Sequence, residues 1–296
     1  MSTIAFLFAH KESDQWSTPL AILNEFKERG WKTKIYSLYD KDGNYSDTNL
    51  HALLKTKPDI IMHMDWGQHQ SYAISDLRRT KAFLVFESGD DPQRFESNML
   101  LASNFDLTLS PDAQCTAEYR RLGINAFWWN HFADTRIYKP LDSQPKYAAV
   151  CSRGMNRGAP IIDSIARKLP HDVINQNGWE GSAHNEFLNS GYIVLQQSRY
   201  GEITRRIFEG MAAGRMVLTD RLHQSKSINE LFDENEDIVY YNNEVDCVNK
   251  IGYYCSNHKE RERIAKNGYE KVLRNHTVSH RVEFIIGMWQ RYKNPK

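Results

Sequence analysis

The sequence predicts an α/β protein made of two doubly wound units, each built on a parallel sheet. Short apolar runs of the kind that form buried strands alternate with segments of helical period along most of the chain. Such alternation implies right-handed crossovers between parallel strands. Residues 134–146 interrupt the alternation, because they include Pro140 and Pro145 and follow neither period, so we interpret them as a linker. Two such units are expected to face a cleft at the carboxyl ends of both sheets.

The first unit is predicted to begin with a buried strand and a helix that ends at Gly30, a residue suited to helix C-termini. Its strands are expected at 4–9, 34–38, 58–64, 82–86, 107–109 and 126–128. Its helices are expected at 19–29, 50–54, 92–103 and 111–122. We therefore assign an N-terminal domain to residues 1–143.

The second unit repeats the alternation after the linker. Its strands are expected at 147–151, 171–175, 193–195, from 217 onward and at 238–241. Its helices are expected at 159–168, 205–214, 227–232, 245–255, 259–274 and 279–292. We assign a second domain to residues 144–276. Residues 277–296 are expected to form a helix that returns to the first domain.

The composition excludes several classes of protein. Lys and Arg number 38 against 37 Asp and Glu in 296 residues, so no overall field attracts the chain to nucleic acid or an anionic membrane. No apolar run approaches the length of a membrane span. The four cysteines are widely spaced except for the last two and form no C-x-x-C motif, and a chain of this length does not need disulfides for stability, so we expect a reduced compartment, the cytoplasm.

The segment RRIFEGMAAGRMVLTD, residues 205–220, carries the most specific chemistry in the chain. The Glu209 carboxylate can accept two hydrogen bonds from a ribose diol, and Arg205 and Arg206 can neutralise phosphate. A second interpretation is a packed helix in which Glu209 only pairs with one of these arginines. The sequence leaves both interpretations open.

A second segment with anion-binding character is CSRGMNRG, residues 151–158, which leaves a predicted strand and begins a helix. Its glycines permit close approach of a ligand to the backbone, and a helix N-terminus favours an anion. Arg153 and Arg157 can then hold a diphosphate from two sides. The alternative is that both arginines are solvated at the start of a surface helix.

Residues 205–220 resemble the signature of group 1 glycosyltransferases, R-x-F-E-A-M-A-x-G-x-x-x-x-T-D. Residues 228–240, 263–268 and 276–281 are similar to segments of a branch of spore-maturation-protein-like glycosyltransferases, the last two to its R-x-I-A-x-x-G and H-T-Y-x-x-R. The resemblance spans residues 146–286 and is looser before residue 140.

This resemblance implies a GT-B architecture and transfer of a sugar from a nucleoside-diphosphate sugar, UDP-linked, to a hydroxyl acceptor. It implies no bound metal and no cofactor, because cationic side chains and a helix dipole stabilise the departing diphosphate. It also implies retention of the anomeric configuration. The implied donor-binding residues are Arg153, Arg157, Gly178, Glu202, Arg205, Arg206 and Glu209. Arg157 and Arg206 are expected to stabilise the leaving group.

The chain departs from the family at one position. Relatives carry a glutamate eight residues before the equivalent of Glu209, where this chain has Gly201, and the nearest carboxylate is Glu202. Either Glu202 takes that role through a shifted loop, or backbone amides in residues 198–204 hold the donor sugar. The missing glutamate also permits a second hypothesis, a sugar-nucleotide-binding protein without transfer activity.

Polar side chains follow the third and fourth strands of the first unit, where a cleft is expected. His63, Asp65, Trp66 and His69 come after the third, and Asp90 and Asp91 after the fourth. We expect these residues on the acceptor side, with Asp65 or Asp91 activating an acceptor hydroxyl. Solvated loop residues are the alternative, and the histidine spacing does not match a zinc site.

The acceptor is either a carbohydrate or a modified base in DNA. A DNA acceptor would need a basic groove in an otherwise neutral protein. The residues available for one are Arg78, Arg79, Lys81, Tyr119, Arg120 and Arg121. A dinucleotide-dependent oxidoreductase is disfavoured because no G-x-G-x-x-G follows the first strand.

Overall fold

The computed structural model describes residues 1–8, 17–37, 47–64, 76–153, 159–221 and 225–294, without the side chains of 47–50, 153, 225 and 226. The chain forms two compact units. Unit 1 comprises Met1–Asn130 and Ser279–Lys296, and unit 2 comprises His131–Val278.

Unit 1 is built on a six-stranded parallel sheet in the order β2-β1-β3-β4-β5-β6. Its strands are β1 (Thr3–Leu7), β2 (Lys32–Tyr36), β3 (Ile60–His63), β4 (Phe83–Glu87), β5 (Leu107–Ser110) and β6 (Ala126–Trp128). Every residue of β3, β4 and β5 is buried. A parallel sheet is covered on both faces, which is why these strands are nearly continuous apolar runs.

The helices of unit 1 connect these strands. They are α1 (Thr18–Glu28), α2 (Asp47–Leu54), α3 (Phe95–Ala102) and α4 (Ala113–Arg121), with a 3₁₀ turn at Arg78–Thr80. The Ser17 hydroxyl accepts a hydrogen bond from the Leu20 amide at 3.3 Å and caps α1, and Asp112 caps α4 through the Cys115 amide at 2.7 Å. Gly30 follows α1 with a φ of 79°, as its C-terminal position predicts.

Unit 2 is built on a five-stranded parallel sheet in the order β11-β10-β9-β7-β8. Its strands are β7 (Tyr147–Arg153), β8 (Val173–Asn177), β9 (Gly191–Gln196), β10 (Met216–Asp220) and β11 (Val239–Tyr241). The predicted alternation of strands and helices is therefore confirmed as two parallel sheets. In this order, the strands that follow β7 lie on opposite sides of it, so a switch point falls between β7 and β9.

The helices of unit 2 pack on that sheet. They are α5 (Pro160–Lys168), α6 (Gly181–Asn189), α7 (Arg205–Ala212), α8 (Ser225–Asn229), α9 (Glu244–Ser256) and α10 (His258–Asn275). Where α10 crosses α7, a Cβ built on Gly268 would lie 2.7 Å from the Asp237 carbonyl oxygen and 3.2 Å from Met211 Cγ. The crossing therefore requires glycine.

The last helix, α11 (Val278–Lys293), packs on unit 1, as predicted. The Trp289 ring centroid lies 5.0 Å from that of Trp31, and Tyr292 lies 4.9 Å from Phe83. The first turn of the helix is fixed by Arg281, which donates to the Asn130 carbonyl oxygen at 2.9 Å and also contacts the Asn130 side chain. In the part of the chain that the structure describes, no helix has the length and apolar content to cross a membrane.

Candidate functional site

The carboxyl ends of β7 and β9 flank the switch point of unit 2, where α/β sheets of this kind bind ligands. The loop 197–204 leaves β9 and leads directly into α7. Two groups anchor this loop. The Gln197 side chain accepts from the Ile161 amide at 3.1 Å, and Asp220 accepts from the Ser198 amide at 2.9 Å and the Ser198 hydroxyl at 2.7 Å. The start of α7 is therefore held at the carboxyl edge of the sheet.

The N-terminus of α7 is unusual in its charge. Its N-cap residue is Thr204, whose side chain makes no capping hydrogen bond, and its first turn has no acidic residue. Arg205 and Arg206 occupy that turn instead. A helix N-terminus carries a partial positive charge and favours an anion, so two cations there oppose the ordinary preference. The positive charges of two guanidiniums and the helix end therefore coincide.

Glu209 lies one turn further along α7. Its side chain is 1% exposed, and its Oε1 is 2.7 Å from the Nε of Arg205, one helical turn earlier. This contact is an ion pair and not an aligned hydrogen bond. Among the described residues, no donor makes a hydrogen bond to Oε1. The ion pair expected under the packed-helix interpretation therefore exists, and it leaves hydrogen-bonding capacity on the carboxylate.

His184 and Tyr138 approach Glu209 from two other segments. The Tyr138 hydroxyl lies 2.9 Å from His184 Nδ1, and Nδ1 lies 3.9 Å from Glu209 Oε2. The Tyr138 hydroxyl also hydrogen-bonds to the Glu209 side chain. The second ring nitrogen of His184, Nε2, is buried and has no partner in the part of the chain that the structure describes. Both side chains are buried.

The charge states in this cluster follow from its composition. Burial acts to raise the pKa of Glu209, but the nearby charges of Arg205, His184 and Arg206, with the Tyr138 hydrogen bond, hold it below its ordinary value. Burial lowers the pKa of His184, and the two arginines act in the same direction against the opposing effect of Glu209. The cluster thus holds an ionised carboxylate beside a neutral imidazole. Within it the arginine charges exceed the single carboxylate charge.

Glu202, the displaced candidate for the first glutamate, faces its own loop. Its carboxylate oxygens accept from the Arg199 amide at 3.3 Å and the Tyr200 amide at 2.6 Å. The sequence predicted that either this carboxylate or the loop amides bind the donor sugar. In the structure the carboxylate and these two amides are hydrogen-bonded to each other.

The other predicted donor-binding residues lie on the loops of the same edge. Gly178 follows β8 with a φ of 84°, and a Cβ built there would meet nothing within 4 Å. It therefore permits close approach to the backbone. Arg153 is the last residue of β7, and its side chain lies outside the described residues. Arg157 also lies outside them.

The predicted acceptor-side residues belong to unit 1, and Asp65, Trp66 and His69 lie outside the described residues. His63 ends β3 and is fully buried, with its ring centroid 5.6 Å from those of Phe86 and Phe105. Asp90 is exposed, has a φ of 61°, and lies 3.8 Å from the Arg94 Nε.

Asp91 is buried and surrounded by hydrogen-bond donors. Its oxygens accept from the Ser88 hydroxyl at 2.5 Å, the Ser110 hydroxyl at 2.7 Å, the Asn98 amide at 2.9 Å and the Tyr119 hydroxyl at 3.2 Å. These bonds join the loop after β4 to β5, α3 and α4. Burial raises the pKa of Asp91 against the opposing effect of these bonds.

The arginines considered for a basic groove each have a partner. Arg78 pairs with Asp106 at 2.5 Å, Arg79 with Asp76 at 3.2 Å, and Arg121 with Glu118 at 2.8 Å. Arg120 donates to the Ala126 carbonyl oxygen at 2.7 Å. Three of the four positive charges are thus offset locally.

Two residues of this cluster, Tyr138 and His184, were not predicted from the sequence. Tyr138 lies in the segment interpreted as a linker, and His184 lies on α6, a helix that was not predicted. The signal that was present is the density of hydrogen-bonding side chains in residues 184–189, which include His184, Asn185 and Asn189. All three are buried.

Solved structures of similar fold cover essentially the whole chain. HepE from Anabaena in complex with UDP aligns with a TM-score of 0.69 at 13% identity, over 98% of this chain and 100% of that one. Sucrose-phosphate synthase from Thermosynechococcus elongatus aligns with a TM-score of 0.73 at 11% identity, over 100% of both chains. A glycosyltransferase from Rickettsia africae aligns with a TM-score of 0.73 at 11% identity, over 100% of this chain and 99% of that one. The chain therefore has the GT-B glycosyltransferase fold.

The sequence comparison is consistent with this fold. Residues 157–287 match the family model described as glycosyl transferase-like. This segment contains α7 and most of unit 2. No curated protein sequence matches the chain at a significant level.

Proposed function

We propose that this protein transfers a sugar from a UDP-sugar to a hydroxyl acceptor, without a metal ion and with retention of the anomeric configuration. The observation that carries the proposal is the start of α7, where Arg205 and Arg206 reinforce the positive end of the helix and no acidic residue occupies the first turn. A diphosphate supplies the negative charge that this arrangement favours. HepE, a protein of the same fold, was solved with UDP and with UDP-glucose.

In this proposal Glu209 binds the ribose. Its carboxylate is held ionised, and Oε1 retains hydrogen-bonding capacity for a hydroxyl. Arg205, which is 28% exposed, moves from Glu209 toward the phosphates when the donor binds. Arg153, Arg157 and Gly178 complete the donor site from the loops after β7 and β8.

The chemical step requires stabilisation of the departing diphosphate. Arg206 and Arg157 provide it as fixed cations, in the role that oxyanion-hole donors play in acyl transfer. Asp65 or Asp91 of unit 1 serves as the group that receives the acceptor proton. The resemblance to group 1 glycosyltransferases supports retention, and the tail segments support the spore-maturation-like branch.

The acceptor hydroxyl belongs to a carbohydrate rather than to DNA, because three of the four arginines available for a basic groove are paired with carboxylates. A mobility-shift titration of duplex DNA at low and high salt tests this choice. Binding that weakens steeply with salt would instead favour a modified base as the acceptor. The cytoplasm remains the expected location.

The test of the donor site is calorimetric titration with UDP and an assay of UDP-glucose hydrolysis and transfer. Arg206→Ala is expected to lower turnover by about 10²–10³-fold, as the loss of one oxyanion donor does. Glu209→Gln is expected to weaken UDP binding. Arg274→Ala, at an exposed position in the last turn of α10, is the matched control. Near-normal turnover in Arg206→Ala would refute the proposed role of this arginine.

A second function is favoured by one observation. Glu202 is engaged by its own loop amides, so the contact that relatives make with the transferred sugar has no ready counterpart. A sugar-nucleotide-binding protein without transfer activity would retain the α7 site and lose only that contact. UDP binding with no turnover on any carbohydrate acceptor would select this alternative.

A further inference from the structure

We propose that Tyr138 and His184 are positioning residues that orient the Glu209 carboxylate toward the ribose of the donor. The inference rests on the proposed function, because it assigns the orientation of a group that the proposed function places against the nucleotide. Tyr138 lies before residue 140, where the resemblance to glycosyltransferases is loose, and His184 lies within residues 146–286 but outside the signature-like residues 205–220.

The hydrogen-bond directions in the cluster follow from the donors available. Tyr138 has one hydroxyl proton and two neighbours, the Glu209 carboxylate and His184 Nδ1 at 2.9 Å. A carboxylate only accepts hydrogen bonds, so the hydroxyl donates to Glu209 and accepts from the Nδ1–H of a neutral His184. The chain of donation runs from His184 to Tyr138 to Glu209, and it ends on the charged group.

This chain of hydrogen bonds constrains one face of the carboxylate. Arg205 approaches Oε1, whereas His184 lies on the side of Oε2. Arg205 is the partner that α7 itself supplies, and it leaves Glu209 when the donor binds, so partners from other segments are needed to hold the side chain in one rotamer. Tyr138 and His184 supply them from the segment before β7 and from α6.

The segment that carries Tyr138 is itself fixed to α6. Asn185 and Asn189 bind the backbone on both sides of Lys139. The Lys139 amide donates to Asn185 Oδ1 at 3.2 Å, and the Leu141 amide donates to Asn189 Oδ1 at 3.0 Å. The Lys139 carbonyl oxygen accepts from both side-chain amides at 3.1 Å. These four bonds set the position of the Tyr138 ring relative to His184.

The two ring nitrogens of His184 differ in their hydrogen bonding. With the proton on Nδ1, Nε2 carries a lone pair, and it is buried without a partner in the described part of the chain. Toward the described residues, the ring therefore makes its hydrogen bond on the Nδ1 side, which is the side that faces Tyr138 and Glu209.

The test compares UDP with 2′,3′-dideoxy-UDP, which lacks the ribose diol, in calorimetric titrations of the full chain. The wild type is expected to bind UDP more tightly than the dideoxy ligand. Tyr138→Phe is expected to weaken UDP binding by about 10-fold, the equivalent of one hydrogen bond, and to leave affinity for the dideoxy ligand unchanged. Tyr147→Phe, at a half-buried tyrosine of the same unit, is the control.

Two histidine variants separate orientation from packing. His184→Asn retains an N–H donor near the position of Nδ1 and is expected to keep most of the preference for UDP, whereas His184→Leu is expected to lose it. Equal weakening of both ligands by Tyr138→Phe, or an unchanged UDP affinity, would overturn the positioning role. A wild type that binds neither ligand would instead overturn the donor site itself.

Discussion

The Arg281 guanidinium and the Asn130 carbonyl oxygen are joined by a 2.9 Å hydrogen bond across 151 positions of sequence. The bond connects the first turn of α11 to the residue at which unit 1 passes to unit 2. Both side chains are buried, and burial lowers the pKa of Arg281 to about 10, so the guanidinium remains charged at neutral pH.

Replacing Arg281 is therefore expected to loosen α11 from unit 1. Arg281→Met leaves the polar atoms of Asn130 without this donor and should lower the free energy of unfolding by about 1–3 kcal/mol. Urea denaturation followed by tryptophan fluorescence measures the change, because Trp289 of α11 contacts Trp31. Arg291→Met, at an exposed position of the same helix, should change stability by less than about 0.5 kcal/mol. Equal effects of the two substitutions would contradict the anchoring role.

A matched pair of glycines tests the crossing of α10 and α7. Gly268→Ala places a Cβ against the Asp237 carbonyl oxygen and Met211, and should destabilise the protein by about 1–3 kcal/mol. Gly252→Ala lies in α9 with nothing within 4 Å of the added carbon, and should stabilise by about 0.5–1 kcal/mol. Thermal unfolding of both variants is the measurement. A neutral Gly268→Ala would show that the crossing can relax.

The pKa of Asp91 predicts a pH-dependent stability. Burial raises this pKa in the folded protein, so folding favours the protonated form. The stabilisation is present below the unfolded carboxyl pKa of about 3.9 and is lost as the pH rises through the raised folded value. Asp91→Asn should flatten this part of the profile, because an amide does not titrate. The substitution should be tolerated, because Ser88 and Ser110 can turn their hydroxyls to accept from the new amide. Urea denaturation at a series of pH values from about 4 to neutral provides the measurement.

The same variant tests the catalytic prediction for Asp91. A folded Asp91→Asn protein that transfers sugar at the wild-type rate would assign the carboxylate to the fold, and leave Asp65 as the candidate base. Loss of transfer with intact UDP binding would support Asp91.

The pKa of Glu209 predicts the opposite dependence. Burial acts to raise this pKa, but Arg205, His184, Arg206 and Tyr138 together lower it. The stabilisation that the ionised carboxylate gives the fold is therefore present above the unfolded carboxyl pKa of about 4.3, and it is lost as the pH falls through the lowered folded value. Arg205→Met removes the largest lowering contribution. We expect acid unfolding of this variant to begin at higher pH than in the wild type, as followed by circular dichroism. Coincident acid transitions would show that Arg205 does not hold the carboxylate ionised.

The sequence predicted one part of the candidate site because that part is local. Arg205 and Glu209 are four residues apart on one helix, and side chains at this spacing meet wherever the helix forms. The parallel sheets were predictable for a similar reason, since most of the strands, though not β2 and β8, are short apolar runs with their own boundaries. The glycine of the family-like R-x-I-A-x-x-G segment, Gly268, is explained by the crossing with α7.

The rest of the site depends on contacts between distant segments. Helix α6 was missed because its buried residues include His184, Asn185 and Asn189, which give no apolar period. These side chains are buried because they bind the backbone and the tyrosine of residues 138–141, more than 40 positions earlier in the chain. Propensity and periodicity cannot register such partners. Glu202 was likewise uncertain, because only the loop conformation turns its carboxylate to the amides of Arg199 and Tyr200.

The placement of α11 has a consequence for biosynthesis. Unit 2 is continuous in sequence, and its two ends meet where the Ala133 amide donates to the His276 carbonyl oxygen at 2.9 Å. Unit 1 lacks α11, which contacts Trp31, Phe83 and Phe127, until the ribosome has translated the whole of unit 2. Unit 2 can therefore complete its tertiary structure before unit 1, although it is translated later. Until α11 is translated, the aromatic side chains of unit 1 that it covers are exposed to water.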